Sequence, residues 1–318
     1  MTLRCAVLDD YQNVATRLAD WSNLGDAVEV TVFDRYMADS PDLAATLQPF
    51  DIICIMRERT PFRRDLLEKL PNLKLLVTTG LRNAAIDLAA AKERGVTVCG
   101  TDSLGHPTAE LTIGLMLALA RHIPAETRRL GEDGQWQSTL GIDLKGRTLG
   151  IIGLGKLGSR VARVAQALEM KVLAWSQNLT PEACAKAGVT YAAKEDLFRQ
   201  ADFVTTHLVL SDRSRGIVGP AEIALMKPTA FLINTSRGEI VDQPALIAAL
   251  RDGRIAGAAV DVYDQEPLPQ GHPLFGVPNL LMSPHLGYVT EDNYRVFYSQ
   301  TVEAIAAWMA GTPVRLLG

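Results

Sequence analysis

The chain has 318 residues, of which 47% are hydrophobic and 21% charged, and its net charge is −4. The length suits two domains better than one core, and the composition is that of an ordinary soluble globular protein. No basic run invites nucleic acid, no basic-then-apolar leader opens the chain, and the longest apolar stretch (111–120) is too short to span a bilayer, so neither a nucleic-acid nor a membrane partner nor export is expected.

Strand-like segments at 4–8, 28–33, 52–56, 74–78 and 97–99 alternate with helical patterns at 41–47, 63–70 and 88–94. That alternation predicts βαβ units and a parallel sheet. Pro107 then opens a long apolar helix, with proline in its first turn. A polar stretch with glycines at 131, 134 and 141 reads as a connection to a second unit. Six strands are predicted there, at 148–152, 171–175, 203–206, 230–234, 256–262 and 280–282. A final helical pattern at 291–310 is expected to return to the first unit. The domains are thus predicted as 1–102 with 286–318, and 103–285 between them. Cys5, Cys54, Cys99 and Cys184 are scattered without a Cys-x-x-Cys pair. They read as buried thiols in a reducing, cytoplasmic compartment, and no metal site is expected.

The most informative motif is Gly153-Leu-Gly155-Lys-Leu-Gly158. It follows a predicted strand and opens a helix with Leu157, Val161, Val164, Ala165 and Leu168 at helical spacing. In that context the first glycine allows the tight turn and the second lets a pyrophosphate approach the backbone. The third lets helix and strand pack closely, and the phosphates sit at the positive helix N-terminus.

Three later segments put polar residues at strand ends: Asn234-Thr-Ser-Arg237-Gly238-Glu, Asp261-Val-Tyr-Asp-Gln-Glu266-Pro267 and Ser283-Pro284-His285-Leu-Gly287. Strand ends line the ligand crevice of an open α/β sheet. An arginine there can hold a carboxylate with two parallel hydrogen bonds, and a histidine can exchange a proton near neutral pH. A carboxylate behind the histidine can orient the ring and stabilise its charged form. Taken singly, each residue also has a plain structural reading as a cap or a loop charge.

Together, the glycine motif and these three segments resemble the D-isomer-specific 2-hydroxyacid dehydrogenases over nearly the whole chain. The resemblance implies an α/β protein of two flavodoxin/Rossmann-like domains with parallel sheets. The larger is a doubly wound NAD(P)-binding domain, and a cleft lies between the two. It also implies a homodimer using the helix near 108–123. The reaction implied is hydride transfer between NAD(P)H and a 2-oxo acid or D-2-hydroxy acid. Arg237 would bind the substrate carboxylate and carbonyl, and His285 would act as acid–base, paired with Glu266. Cofactor contacts are expected at Gly153, Gly155, Lys156, Leu157 and Gly158, at Ser176, Gln177 and Asn178, and at Leu208, Thr235, Ser236, Asp261, His285 and Gly287. Substrate contacts are expected at Arg57, Gly80, Leu81, Arg82, Arg237 and Tyr288.

The chain departs from the family pattern at several points. Ser176 lies 18 residues after Gly158, where an NAD-preferring member carries an aspartate. Its absence removes a repulsion against a 2′-phosphate, although no arginine adjoins it, and the balance tips slightly to NADP. Arg82 replaces the second glycine of a Gly-x-Gly loop; it either takes a second acidic group of the substrate, points to solvent or braces Asp87. Tyr288 stands where relatives carry a small residue and would narrow the pocket. His207 lacks the proline that often follows it and reads as structural or cofactor-adjacent. A different class of function, a non-catalytic NAD(H)-sensing protein-binding module of the corepressor type, uses the same scaffold. Formate dehydrogenases carry glutamine at the position of Glu266, so this residue argues against that chemistry.

Overall fold

The computed structural model describes residues 2–318, which separate into two compact units: the chain up to Leu104 together with Val289–Gly318, and Gly105–Tyr288. Every sheet pairing within them is parallel.

The first unit holds β1 (Leu3–Val7), β2 (Val28–Val32), β3 (Ile52–Ile55), β4 (Leu75–Thr78) and β5 (Thr97–Gly100), in the order β2-β1-β3-β4-β5. Its helices are α1 (Ala15–Leu18), α2 (Leu43–Leu47), α3 (Arg64–Leu67) and α4 (Leu88–Glu93). All of β3 and β4 is buried, as expected for strands covered on both faces, which read as continuous apolar runs. After the second unit the chain returns as the 19-residue helix Glu291–Met309, started by the Thr290 hydroxyl accepting from Asn293 N. This helix buries Phe297, Tyr298 and Ile305, and each such side chain contributes roughly 2 kcal/mol by leaving water. Tyr298 donates to Asp10 at 3.2 Å, and Leu317 N donates to Val98 O at 2.9 Å, so the last thirty residues are stitched to the first hundred.

The second unit begins with α5 (Pro107–Ala120) and α6 (Ile123–Asp133). Its strands are β6 (Thr148–Ile152), β7 (Lys171–Trp175), β8 (Thr190–Tyr191), β9 (Phe203–Thr206), β10 (Phe231–Asn234), β11 (Gly257–Val260) and β12 (Leu280–Met282). Between them lie α7 (Lys156–Ala167), α8 (Pro181–Lys186), α9 (Lys194–Gln200), α10 (Pro220–Leu225) and α11 (Gln243–Arg251); the returning helix of the first unit is α12. The strand order is β12-β11-β10-β9-β6-β7-β8. Side chains alternate between two cores. Ile151, Phe203, Phe231 and Ile233 face α5 and α7, whereas Ile152, Val204, Leu232 and Val260 face α9, α10 and α11. Both faces of the sheet are therefore dry, as a doubly wound fold requires.

Two expectations need correction. The sheet has a seventh strand, β8, an exposed two-residue edge too short to give a period-2 pattern. The polar connection after α5 contains the helix α6, which has no buried residue and carries Gly131 in its interior, so neither burial periodicity nor propensity announces it. No helix among the described residues is long and apolar enough to cross a membrane.

Candidate active site

The chain leaves β6 for β7 on one side of the sheet and crosses to β9 on the other, so the order in which strands are added reverses between β6 and β9, all of them staying parallel. At their carboxyl ends lie the glycine turn and His207-Leu208. Gly153 has φ +103, a region glycine adopts without strain. A Cβ there would press on the His207 carbonyl and the Leu208 side chain, and one on Gly158 would strike the Gly153 carbonyl. A Cβ on Gly155 would meet nothing within 4 Å. Gly155 is thus the glycine that leaves space, and it N-caps the 12-residue α7 without a side-chain cap. Open space before uncapped N–H groups suits a pyrophosphate. His207 adds a buried Nδ1 without a hydrogen-bond partner among the described residues. These features fit a dinucleotide.

Ser176 and Gln177 directly follow β7, with Asn178 next; none offers a carboxylate. Lys156 and Leu157 form the first turn of α7, and Leu208 packs on the core beside Gly153. Thr235 is buried and shares a 2.9 Å hydrogen bond with Thr112 of α5, while Ser236 donates to Thr206 O at 2.6 Å. Both hydroxyls thereby fix the loop after β10. Arg237 extends from that loop, its Nη1 donating to Ser236 O at 2.8 Å.

After β11 and β12 come the acid–base candidates. His285 Nδ1 lies 2.5 Å from Glu266 Oε2, and Glu266 Oε1 accepts from Tyr263 N at 2.9 Å. Both carboxylate oxygens are therefore directed, and imidazole Nε2 is the nitrogen left for exchange. His285 adopts φ +51, uncommon for a residue with a Cβ. Asp261 supports it. This fully buried carboxylate accepts from Ser283 Oγ at 2.6 Å, Leu286 N at 2.7 Å and Gly287 N at 2.9 Å. Burial pushes its carboxyl up despite these donors. Thr108 closes the loop from the other side by donating to Gly287 O at 2.9 Å. Tyr288 is buried and meets the His285 ring edge-on at 5.2 Å.

In the first unit Arg57 also has a left-handed backbone, φ +53. Its N–H donates to Thr79 Oγ1 at 2.9 Å and its carbonyl accepts from Asn83 Nδ2 at 2.6 Å. A Cβ on Gly80 would strike the Arg57 guanidinium, so the glycine is what lets this side chain lie down. Leu81 and Arg82 follow, both exposed. Asp87 is engaged by Ala90 N at 2.8 Å and by Arg64 at 3.9 Å, and not by Arg82. Sequence reasoning missed the supports: Thr79, Asn83, Thr108, Thr112 and Tyr263. Their signal was only that each is a polar residue beside a motif.

Comparison with known proteins agrees with this geometry. A family model for the NAD-binding domain of D-isomer specific 2-hydroxyacid dehydrogenases matches residues 113–287. A glyoxylate reductase of Aeropyrum pernix is 37% identical over 257 residues, covering 78% of this chain and 76% of that protein. A D-3-phosphoglycerate dehydrogenase of Methanocaldococcus jannaschii is 36% identical over 274 residues, covering 85% of this chain and 52% of that protein. The chain thus spans about half the length of the curated phosphoglycerate dehydrogenases it matches. The solved structure of a phosphoglycerate oxidoreductase from Vibrio cholerae O395 superposes with a TM-score of 0.92 at 38% identity, covering 98% of this chain and 100% of that one. A chain with this glycine turn, this sheet order and these relatives belongs to the D-isomer specific 2-hydroxyacid dehydrogenase family.

Proposed function

We propose that the protein is a nicotinamide-dependent oxidoreductase that interconverts a 2-oxo acid and a D-2-hydroxy acid. The observation that carries this reading is the His285–Glu266 pair at 2.5 Å, held at strand ends in the same unit as the glycine turn. The bound nicotinamide supplies or accepts the hydride. Arg237 binds the substrate carboxylate and carbonyl oxygen, orienting the acid and polarising its C=O. In reduction, His285 gives its Nε2 proton to the developing alkoxide; in oxidation, the neutral ring takes the hydroxyl proton. Glu266 stabilises the charged ring and fixes its tautomer through Nδ1. Asp261 holds the 283–287 loop that presents the histidine. Arg57, Gly80, Leu81 and Arg82 add substrate contacts in the first unit, and Tyr288 limits substrate size. The missing carboxylate at Ser176 tips the cofactor towards NADP. A cytoplasmic location suits four buried free thiols.

The test is a panel of 2-oxo acids, glyoxylate, hydroxypyruvate and a phosphorylated analogue among them, with NADH and NADPH, followed by loss of absorbance. Turnover with at least one pair is expected. His285→Ala is expected to abolish it while leaving dinucleotide binding intact. Near-wild-type turnover in that variant would sink the assignment. Dinucleotide binding with no turnover on any acid would move the chain to the sensor class.

A further inference from the structure

The end of β7 lacks the carboxylate that would select NAD, and its own sequence offers no arginine for a 2′-phosphate. The fold brings one from elsewhere. Gln177 Nε2 donates to the carbonyl of Arg213, 36 residues away, at 2.8 Å. Arg213 sits in the turn after β9, and that turn is tied down from within. The buried Ser214 hydroxyl donates to Val209 O at 2.7 Å and accepts from Ser211 N at 2.8 Å. Arg215 N closes the turn on Ser211 O at 2.9 Å. The Arg213 backbone is therefore fixed beside Gln177 and Ser176, while its side chain is exposed.

The neighbouring cations are already engaged. Arg215 lies 3.6 Å from Glu239, and Lys194 lies 2.7 Å from Glu222. Arg213 takes part in no ion pair among the described residues. The nearest acidic residue in sequence is the exposed Asp212. An exposed arginine whose backbone is held on Gln177, after the strand end where a serine stands in place of an acid, matches the chemistry of a phosphomonoester. It offers two parallel N–H donors and a positive charge.

We infer that Arg213, fastened through its carbonyl by Gln177, forms a 2′-phosphate subsite that makes NADPH the preferred cofactor. This rests on the dinucleotide reading above and adds the residue that discriminates. The experiment is calorimetric titration of wild type, Arg213→Ala, Arg213→Lys and Gln177→Ala with NADPH and NADH. The same four proteins are titrated with adenosine 2′,5′-bisphosphate and 5′-AMP, which read the subsite without any turnover. Wild type is expected to bind NADPH and the bisphosphate more tightly than NADH and 5′-AMP. Arg213→Ala is expected to weaken the two 2′-phosphorylated ligands roughly tenfold to a hundredfold and to leave the other two unchanged. Arg213→Lys should recover part of the loss, and Gln177→Ala should show a smaller loss in the same direction. Equal weakening of phosphorylated and unphosphorylated ligands, or none, overturns the assignment of Arg213. Equal affinity of wild type for NADH and NADPH overturns it too, leaving the dinucleotide reading standing. Binding of none of the four ligands would instead remove the dinucleotide reading itself.

Discussion

Five histidines look alike in the sequence, and their surroundings separate them. His285 has a carboxylate on Nδ1 and no hydrogen-bond partner on Nε2 among the described residues. His207 has Thr205 Oγ1 3.1 Å from Nε2 and no partner on Nδ1 among the described residues. Burial lowers its pKa to about 4, so the folded protein holds it neutral. Unfolded, it would titrate near 6.5. Between these values the unfolded chain binds the extra proton, so this contribution to stability is complete above about pH 6.5 and is lost as pH falls towards 4. The slope is about 1.4 kcal/mol per pH unit at most. His207→Gln is expected to flatten the pH dependence of the urea midpoint across that window. An unchanged slope would show that the ring protonates in the native state. Motifs singled out Arg237, Glu266 and His285 because the expected chemistry needs those residue types, and the structure brings His285 and Glu266 into contact. The left-handed backbones of Arg57 and His285 were not legible, because the hydrogen bonds and packing around them come from residues distant in sequence.

Elements were legible wherever burial imposes a period. The interiors of β3, β4, β6 and β9 are fully apolar or small, and flanking turns bound them. β8 and α6 escaped because neither buries a side chain. The β6-turn-α7 element gives the sharpest test of what each glycine does. Gly158→Ala would drive a methyl into the Gly153 carbonyl, so a loss of about 1–3 kcal/mol is expected by thermal unfolding, with dinucleotide affinity falling alongside. Gly155→Ala meets open space, so its stability should stay near wild type while dinucleotide affinity falls. If both variants were equally destabilised, the division of labour between these glycines would be wrong.

At the scale of the molecule, α6 and the loop after it expose an apolar surface. Ile123 and Leu130 are about half exposed, Trp136 is 75% exposed and Leu140 is 92% exposed. Large apolar side chains exposed in this way are common at interaction surfaces, and we propose that the homodimer implied by the family resemblance covers them, beyond the helix near 108–123. Sedimentation velocity is expected to show a dimer, and a Trp136→Ala, Leu140→Asp double variant should run as a monomer. A monomeric wild type would exclude the pairing. The second unit starts at Gly105, ahead of the fingerprint at Gly153–Gly158, and the long helix after 290 belongs to the first unit. That interruption orders the making of the protein. Gly105–Tyr288 is one unbroken stretch and can complete its core while still attached to the ribosome. The strands of the first unit must wait, since α12 and the segment that bridges Leu316 to Cys99 are translated only after the second unit. The strands made before the second unit thus become native only after it.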